Sequence, residues 1–239
     1  MFSHVGKSRT PRHNLAIASI LGFVAGLVNV VGFFAVHRMT TNVTGHFAFF
    51  IEDIFLFNFS SAFHFAMFVF AFFMGAFLAN FMVETYSRIR ENETYVLPVA
   101  IEALILLVIG LTGNYLIKES PDTIALSLLF AMGMQNSLVT SISKAIVRTT
   151  HLTGLFTDMG IECSQLFFYK DKLHKHKLIK SIKLRLTIIF MFFSGGITGG
   201  ILFTYFGIKT LIFGTIVLTV ALFYDFMKIR LLLLRRHRS

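Results

Sequence analysis

Three carboxylates, Asp53, Glu102 and Glu162, stand inside long apolar stretches of a 239-residue chain. A carboxylate at membrane depth is costly, about 2.5–3.5 kcal/mol on insertion scales for Asp, and by default marks an ion, substrate or proton path. Asp53 and Glu162 occupy equivalent places, each eight residues beyond a Thr-Gly pair. That equivalence leads to a polar phrase written twice. The first copy is Thr40-Thr41-Asn42-Val43-Thr44-Gly45 and the second is Thr149-Thr150-His151-Leu152-Thr153-Gly154. Each follows an apolar run that carries Gly-x-x-Asn, Gly26 to Asn29 and Gly133 to Asn136.

Hydroxyls and amides in this pattern suit hydrogen bonding to a small polar solute. The candidate binding set is Asn29, Thr41, Thr44, Gly45, Gln135, Asn136, Thr150, Thr153 and Gly154. The hydroxyls of Thr44 and Thr153 suit helix N-caps, and the glycines permit close backbone approach. A helix that begins at each phrase aims its positive dipole end at the protein centre. Asp53, Glu162 and Glu102 are the candidate proton- or ion-coupling residues. His64 and His151 read as packing or hydrogen-bonding residues, and no His/Glu/Asp set has metalloenzyme spacing. With no Gly-x-Ser-x-Gly, Walker-type loop or His-Glu-x-x-His, we expect no enzyme, no metal and no cofactor.

The elements that hold these residues are membrane helices. The chain is 55% hydrophobic and 14% charged, which no ordinary soluble domain matches. Long segments are expected over 15–36, 62–83, 95–117, 121–142, 186–206 and 208–227, with two short ones over 45–59 and 155–169. Ser120, Pro121 and Asp122 predict a helix start. Lys170 to Lys183 reads as a basic loop, with His174 and His176 on its surface. The single cysteine, Cys163, excludes an intrachain disulfide. The first apolar run is too long for a signal-peptide core, so it reads as retained.

The order long, short, long, long occurs twice, over 1–118 and 119–239, within one transmembrane domain. Phe72-Phe73-Met74-Gly75 echoes Phe192-Phe193-Ser194-Gly195 in the third element of each copy. Repeats of this kind build pseudo-symmetric bundles with the site at the repeat interface. The formal charge of +10 sits at the ends and in a few loops, an orientation signal. If both short segments are re-entrant half-helices, Arg88, Arg90, Lys144 and Arg148 join both termini on the cytoplasmic side. If all eight segments span, those four fall outside. The expected fold is therefore an all-α integral membrane protein with six transmembrane helices and two re-entrant half-helices, arranged as inverted repeats. Eight spans, four plus four, is the alternative.

The residues around the phrases resemble the YoaK-like family of multi-pass bacterial membrane proteins of unknown function. Arg148-Thr149-Thr150-His151-Leu152-Thr153-Gly154 carries its second motif intact, preceded by Gly133-Met134-Gln135-Asn136. Asn42-Val43-Thr44-Gly45-His46 carries the first, with His46 where that family has Asn. The resemblance implies an integral membrane protein and no particular substrate.

The function expected is a small secondary transporter or facilitator of a small polar or anionic solute, coupled to protons through the carboxylates, in the cell (plasma or inner) membrane. A channel and a non-transporting assembly protein are the alternatives. The partners are the lipid bilayer and a small-molecule solute. A homo-oligomer is compatible with this reading, and nucleic acid is not a partner.

Overall fold

The computed structural model describes residues 11–87, 95–143, 151–169 and 171–236. Among these residues there are eight α-helices, one 3-10 turn and no strand: α1 (Pro11–Val36), α2 (Val43–Phe55), α3 (Phe59–Ser87), α4 (Val96–Glu119), α5 (Pro121–Ser143), α6 (Leu152–Phe168), α7 (Lys172–Phe206) and, after a turn at Gly207–Thr210, α8 (Leu211–Arg236). Five described stretches are long and apolar enough to cross a membrane: Ser19–Val36, Phe59–Ser87, Val96–Glu119, Pro121–Ser141 and Lys172–Asp225. The last contains both α7 and α8, separated at Gly207, whose φ of 57° suits glycine. The chain is a membrane-embedded helical protein. By contrast α2 has 13 residues and α6 has 17, about 20 and 26 Å of helix against a hydrocarbon core of about 30 Å.

The start of α5 is where Pro121 and Asp122 predict it, with Ser120 Oγ 2.6 Å from Thr123 Oγ1. The basic stretch after α6 departs from expectation. It is the first part of α7, begun by Asp171, whose Oδ2 accepts a hydrogen bond from His174 N at 2.9 Å. Lysines are good helix formers, and a single Asp cap nucleates the segment that charge alone suggested was a loop.

Two helix crossings hold the bundle together, and they are built alike. α1 runs parallel to α7, and α3 runs parallel to α5. At the first crossing, a Cβ on Gly26 would run into the Phe192 carbonyl, and one on Gly195 into that of Phe23. At the second, Gly133 meets the Phe72 carbonyl and Gly75 that of Phe130. These are the same positions of the two sequence copies, and backbones approach this closely only where no side chain intervenes.

Two other contacts set directions. Gln135 Nε2 donates to Leu21 O at 2.9 Å, while a Cβ on Gly32 would lie 3.1 Å from Leu128 Cδ1. Rising numbers on α1 thus meet falling numbers on α5, so the two are antiparallel. Thr215 Oγ1 donates to Ala103 O at 3.2 Å, and Ile208 packs against Gly113, so α4 and α8 are antiparallel as well.

At the far end of α1, Arg38 lies 3.6 Å from Asp122 at the start of α5, and its guanidinium sits over the Phe65 ring at 5.4 Å.

The crossings predict a contrast among glycines. Gly26→Ala and Gly133→Ala must push two backbones apart and should lower the melting temperature in detergent by several degrees each, the effect of overpacking by about 1–3 kcal/mol. Gly160 on α6 has nothing within 4 Å of its Cβ position. Gly160→Ala should leave the melting temperature unchanged or raise it. Equal shifts for all three would contradict the crossing geometry.

Candidate functional site

The site begins where α1 stops. His37, at φ 52°, turns the chain back along the helix it has just left. Thr40 Oγ1 then donates to Val28 O at 3.2 Å, and Thr41 Oγ1 donates to Asn29 Oδ1 at 2.6 Å. Val28 lies two turns before Val36, so the chain has returned by about 12 Å. α2 therefore starts beside the middle of α1. The side chain of Asn42, in extended backbone, caps it by accepting from Gly45 N at 3.2 Å. His46 is buried between Phe65 and Phe68, and its Nε2 lies 2.5 Å from Met39 O. The carbonyl can only accept, so that nitrogen carries the proton. His46 thus closes the loop that Asn42 opens.

The second copy is described from His151 onward; Thr149 and Thr150 lie outside the described residues. His151 holds the N-cap position of α6 without a side-chain cap bond. Its ring instead folds over Gly154, where a Cβ would strike the imidazole. The expected capping role of Thr44 and Thr153 is therefore corrected. Both fall inside the first helical turn, two residues past the N-cap positions held by Asn42 and His151.

Both helix starts open on one cavity of about 1170 Å³. Thr41, Thr44 and Gly45 line it from the first phrase, Thr153 and His151 from the second, and Asn29 and Asn136 from the helices before them. Of the remaining expected binding residues, Gly154 lies beneath His151, and Gln135 turns away to bond Leu21 O.

Four polar lining residues lie outside the set expected from the sequence: Asn80, Ser137, Thr140 and Ser141. A signal for three of them exists. Asn136, Ser137, Thr140 and Ser141 recur at the spacing of one helix face within an apolar run. Asn80 has no partner in the sequence pattern, but its Oδ1 accepts from Ser141 Oγ at 3.0 Å. Among the described residues the polar part of the lining has amides, hydroxyls and one imidazole, and no carboxylate, ammonium or guanidinium, while Met39, Phe72, Leu152 and Phe192 belong to its apolar part.

The three carboxylates lie elsewhere. Glu162 is clamped by α7: Arg185 Nε donates to Oε2 at 3.0 Å, Arg185 Nη2 to Oε1 at 3.1 Å, and Ser181 Oγ to Oε1 at 2.6 Å. Arg185 Nη1 also reaches Asp158 Oδ2 at 2.8 Å. Asp53 sits on the last turn of α2, with Asn58 Nδ2 3.5 Å from its Oδ1. The structure does not bring Asp53 and Glu162 to a shared site. Both short helices start at the cavity and lead away from it, so eight residues beyond the glycine is about 12 Å out. Glu102 is different again: it is 1% exposed, and neither carboxylate oxygen has a hydrogen-bond partner among the described residues.

The caps carry a prediction. Asn42→Ala should destabilise the start of α2, about 0.5–2 kcal/mol for a lost cap, and speed amide exchange at Gly45 and His46. Thr44→Val should leave exchange there unchanged. The reverse order of effects would return the cap to Thr44.

No curated protein and no solved structure matches the chain. One family model does, described as Protein of unknown function (DUF1275), and it covers residues 17–224. That span takes in both phrases, both glycine crossings and every described residue of the cavity, and the chain belongs to this DUF1275 family.

Proposed function

We propose that this protein is a small secondary transporter or facilitator that moves a small polar solute across the cell membrane. The observation that carries the reading is the single cavity onto which both copies of the polar phrase open. Its amide and hydroxyl lining suits a solute that hydrogen-bonds. The starts of α2 and α6 aim two positive dipole ends at the same space, which favours a solute with an anionic or electron-rich group.

The architecture proposed is six spanning helices and two re-entrant half-helices, as inverted repeats over residues 1–118 and 119–239. Helix directions support it. With eight spans, α1 and α5 would cross in the same direction, and so would α4 and α8; both pairs are antiparallel. The return of Thr40 and Thr41 to Val28 and Asn29 supports a half-helix that starts at mid-membrane. Backbone may break there only in the shelter of protein or of a watery cavity, and here it has both. Cytoplasmic termini follow from the positive-inside rule. Glu102, buried and without a hydrogen-bond partner among the described residues, is the carboxylate assigned to proton coupling. Glu162 is assigned to tying α6 to α7.

Two experiments test this. In a Cys163→Ser background, Ser60→Cys should react with an impermeant thiol reagent from outside, and Asn92→Cys from the cytoplasm. Reaction of Asn92→Cys only from outside would return the eight-span topology. For the function, metabolites that differ between a deletion strain and its parent are offered to proteoliposomes. Asn29→Leu and Asn136→Leu should each cut uptake at least tenfold in protein that stays monodisperse. Glu102→Gln should retain uptake and flatten its pH dependence. Uptake no greater than in empty liposomes, or unaffected by either Asn change, would contradict transport through this cavity.

A further inference from the structure

The cavity extends unequally along the two glycine crossings. Beyond the α3/α5 crossing it is polar: Thr140 and Ser141 of α5 line it, with Asn80 of α3, whose side chain is exposed. Aligning Gly133 with Gly26, and Gly75 with Gly195, gives the counterparts of these residues on α1 and α7. Thr140 corresponds to Phe33, Ser141 to Phe34 and Asn80 to Gly200. A hydrogen-bonded polar pair at one crossing is thus two phenylalanines and a glycine at the other.

Aromatic rings stand there instead, with Phe33 and Phe34 each 47% exposed. Phe33 lines the cavity's end. Behind it, the Phe33 and Phe34 centroids are 6.4 Å apart, and Phe34 meets Phe203 edge-on at 5.6 Å. Phe33 also packs against His37, 6.1 Å away, at the turn that sends the chain back into the protein. A Cβ on Gly200 would lie in ordinary contact with that ring, 3.6 Å from Phe34 Cε2. A polar solute can leave between Asn80 and Ser141 with its hydrogen bonds exchanged one for one. Past the phenylalanines it must give them up, and an apolar constriction of this kind blocks by dewetting.

We propose that Phe33, Phe34 and Phe203 form the closed outer gate of the solute path, and that the Asn80–Ser141 side is its cytoplasmic mouth. The proposal rests on the transport reading above. Because α1 and α7 both end on the outer side in that topology, the aromatic cluster faces outward and the polar mouth inward. The two crossings share their glycine geometry but not their residues beyond it. The two gates are therefore chemically unequal.

The test reads water access and needs no knowledge of the solute. Thr140→Cys is made in full-length Cys163→Ser protein, and an impermeant thiol reagent is applied to right-side-out and inside-out vesicles. With the phenylalanines intact, labelling should occur from the cytoplasmic face, at least tenfold faster than from outside. Adding Phe33→Ala and Phe34→Ala should raise the outside rate at least tenfold. Phe33→Ser alone should do the same if the double change does not fold, and Phe33→Leu should not. Equal labelling from both faces of protein with its phenylalanines, or an outside rate unmoved by the Ala and Ser changes, would overturn the gate. If labelling behaves as expected while no solute is taken up, the gate stands and the transport reading falls.

Discussion

Backbone inside a bilayer must find its hydrogen bonds within the protein, because hydrocarbon offers none. Everything distinctive about this molecule follows from how that constraint is met at one place, the segment after α1. The chain stops being helical at Val36 and still returns to the depth of Asn29. Two threonine hydroxyls bond back to α1, an asparagine side chain supplies the cap for α2, and a buried histidine ties off the Met39 carbonyl. The Asn42 and His46 side chains satisfy backbone groups that the break leaves without helical partners, and the threonine hydroxyls tie the segment to α1. Thr41, Asn42 and Thr44 also line the cavity. The residues that make a broken backbone tolerable are in this way the same ones that make a polar surface in an apolar bundle.

The glycine crossings supply the second half of the account. Transmembrane helices gain little from hydrophobic association, since lipid tails are as apolar as their side chains, so close packing must carry the fold. Gly26 with Gly195, and Gly75 with Gly133, bring backbone to backbone and leave the space beyond each crossing to be filled or left open. On the α1/α7 side aromatic rings stand there, and on the α3/α5 side polar side chains line the cavity. Function, on this view, comes from sequence differences between two copies whose scaffold is the same.

Much of this was legible in the sequence because polar residues in apolar segments are conspicuous. The repeated phrase and the paired Gly-x-x-Asn motifs mark residues of the cavity, and the glycines of those motifs and of the Phe-Phe-x-Gly echo are the ones found at the crossings. Four things were not legible. The cap passed from Thr44 to Asn42 because cap identity depends on where the backbone leaves the extended region, which a run of Thr, Asn and Thr leaves ambiguous. The equivalence of Asp53 and Glu162 in sequence suggested proximity, but helices that radiate from a shared start carry equivalent positions apart. The basic segment reads as a loop from its charge alone, whereas lysine favours helix and Asp171 within the segment supplies the cap. Asn80 was missed because a single amide on a long apolar helix has no periodic partner; only the α3/α5 crossing supplies Ser141.

The central claim is that the two phrases face one water-filled space in the middle of the membrane. Crosslinking across that space tests it most directly. Thr44→Cys and Thr153→Cys are combined in the Cys163→Ser protein and treated with a bifunctional thiol reagent short enough to fit inside the cavity. The account predicts an intrachain crosslink in intact membranes, formed only when both cysteines are present. Absence of that crosslink, with each single cysteine reactive toward a small thiol reagent, would contradict it.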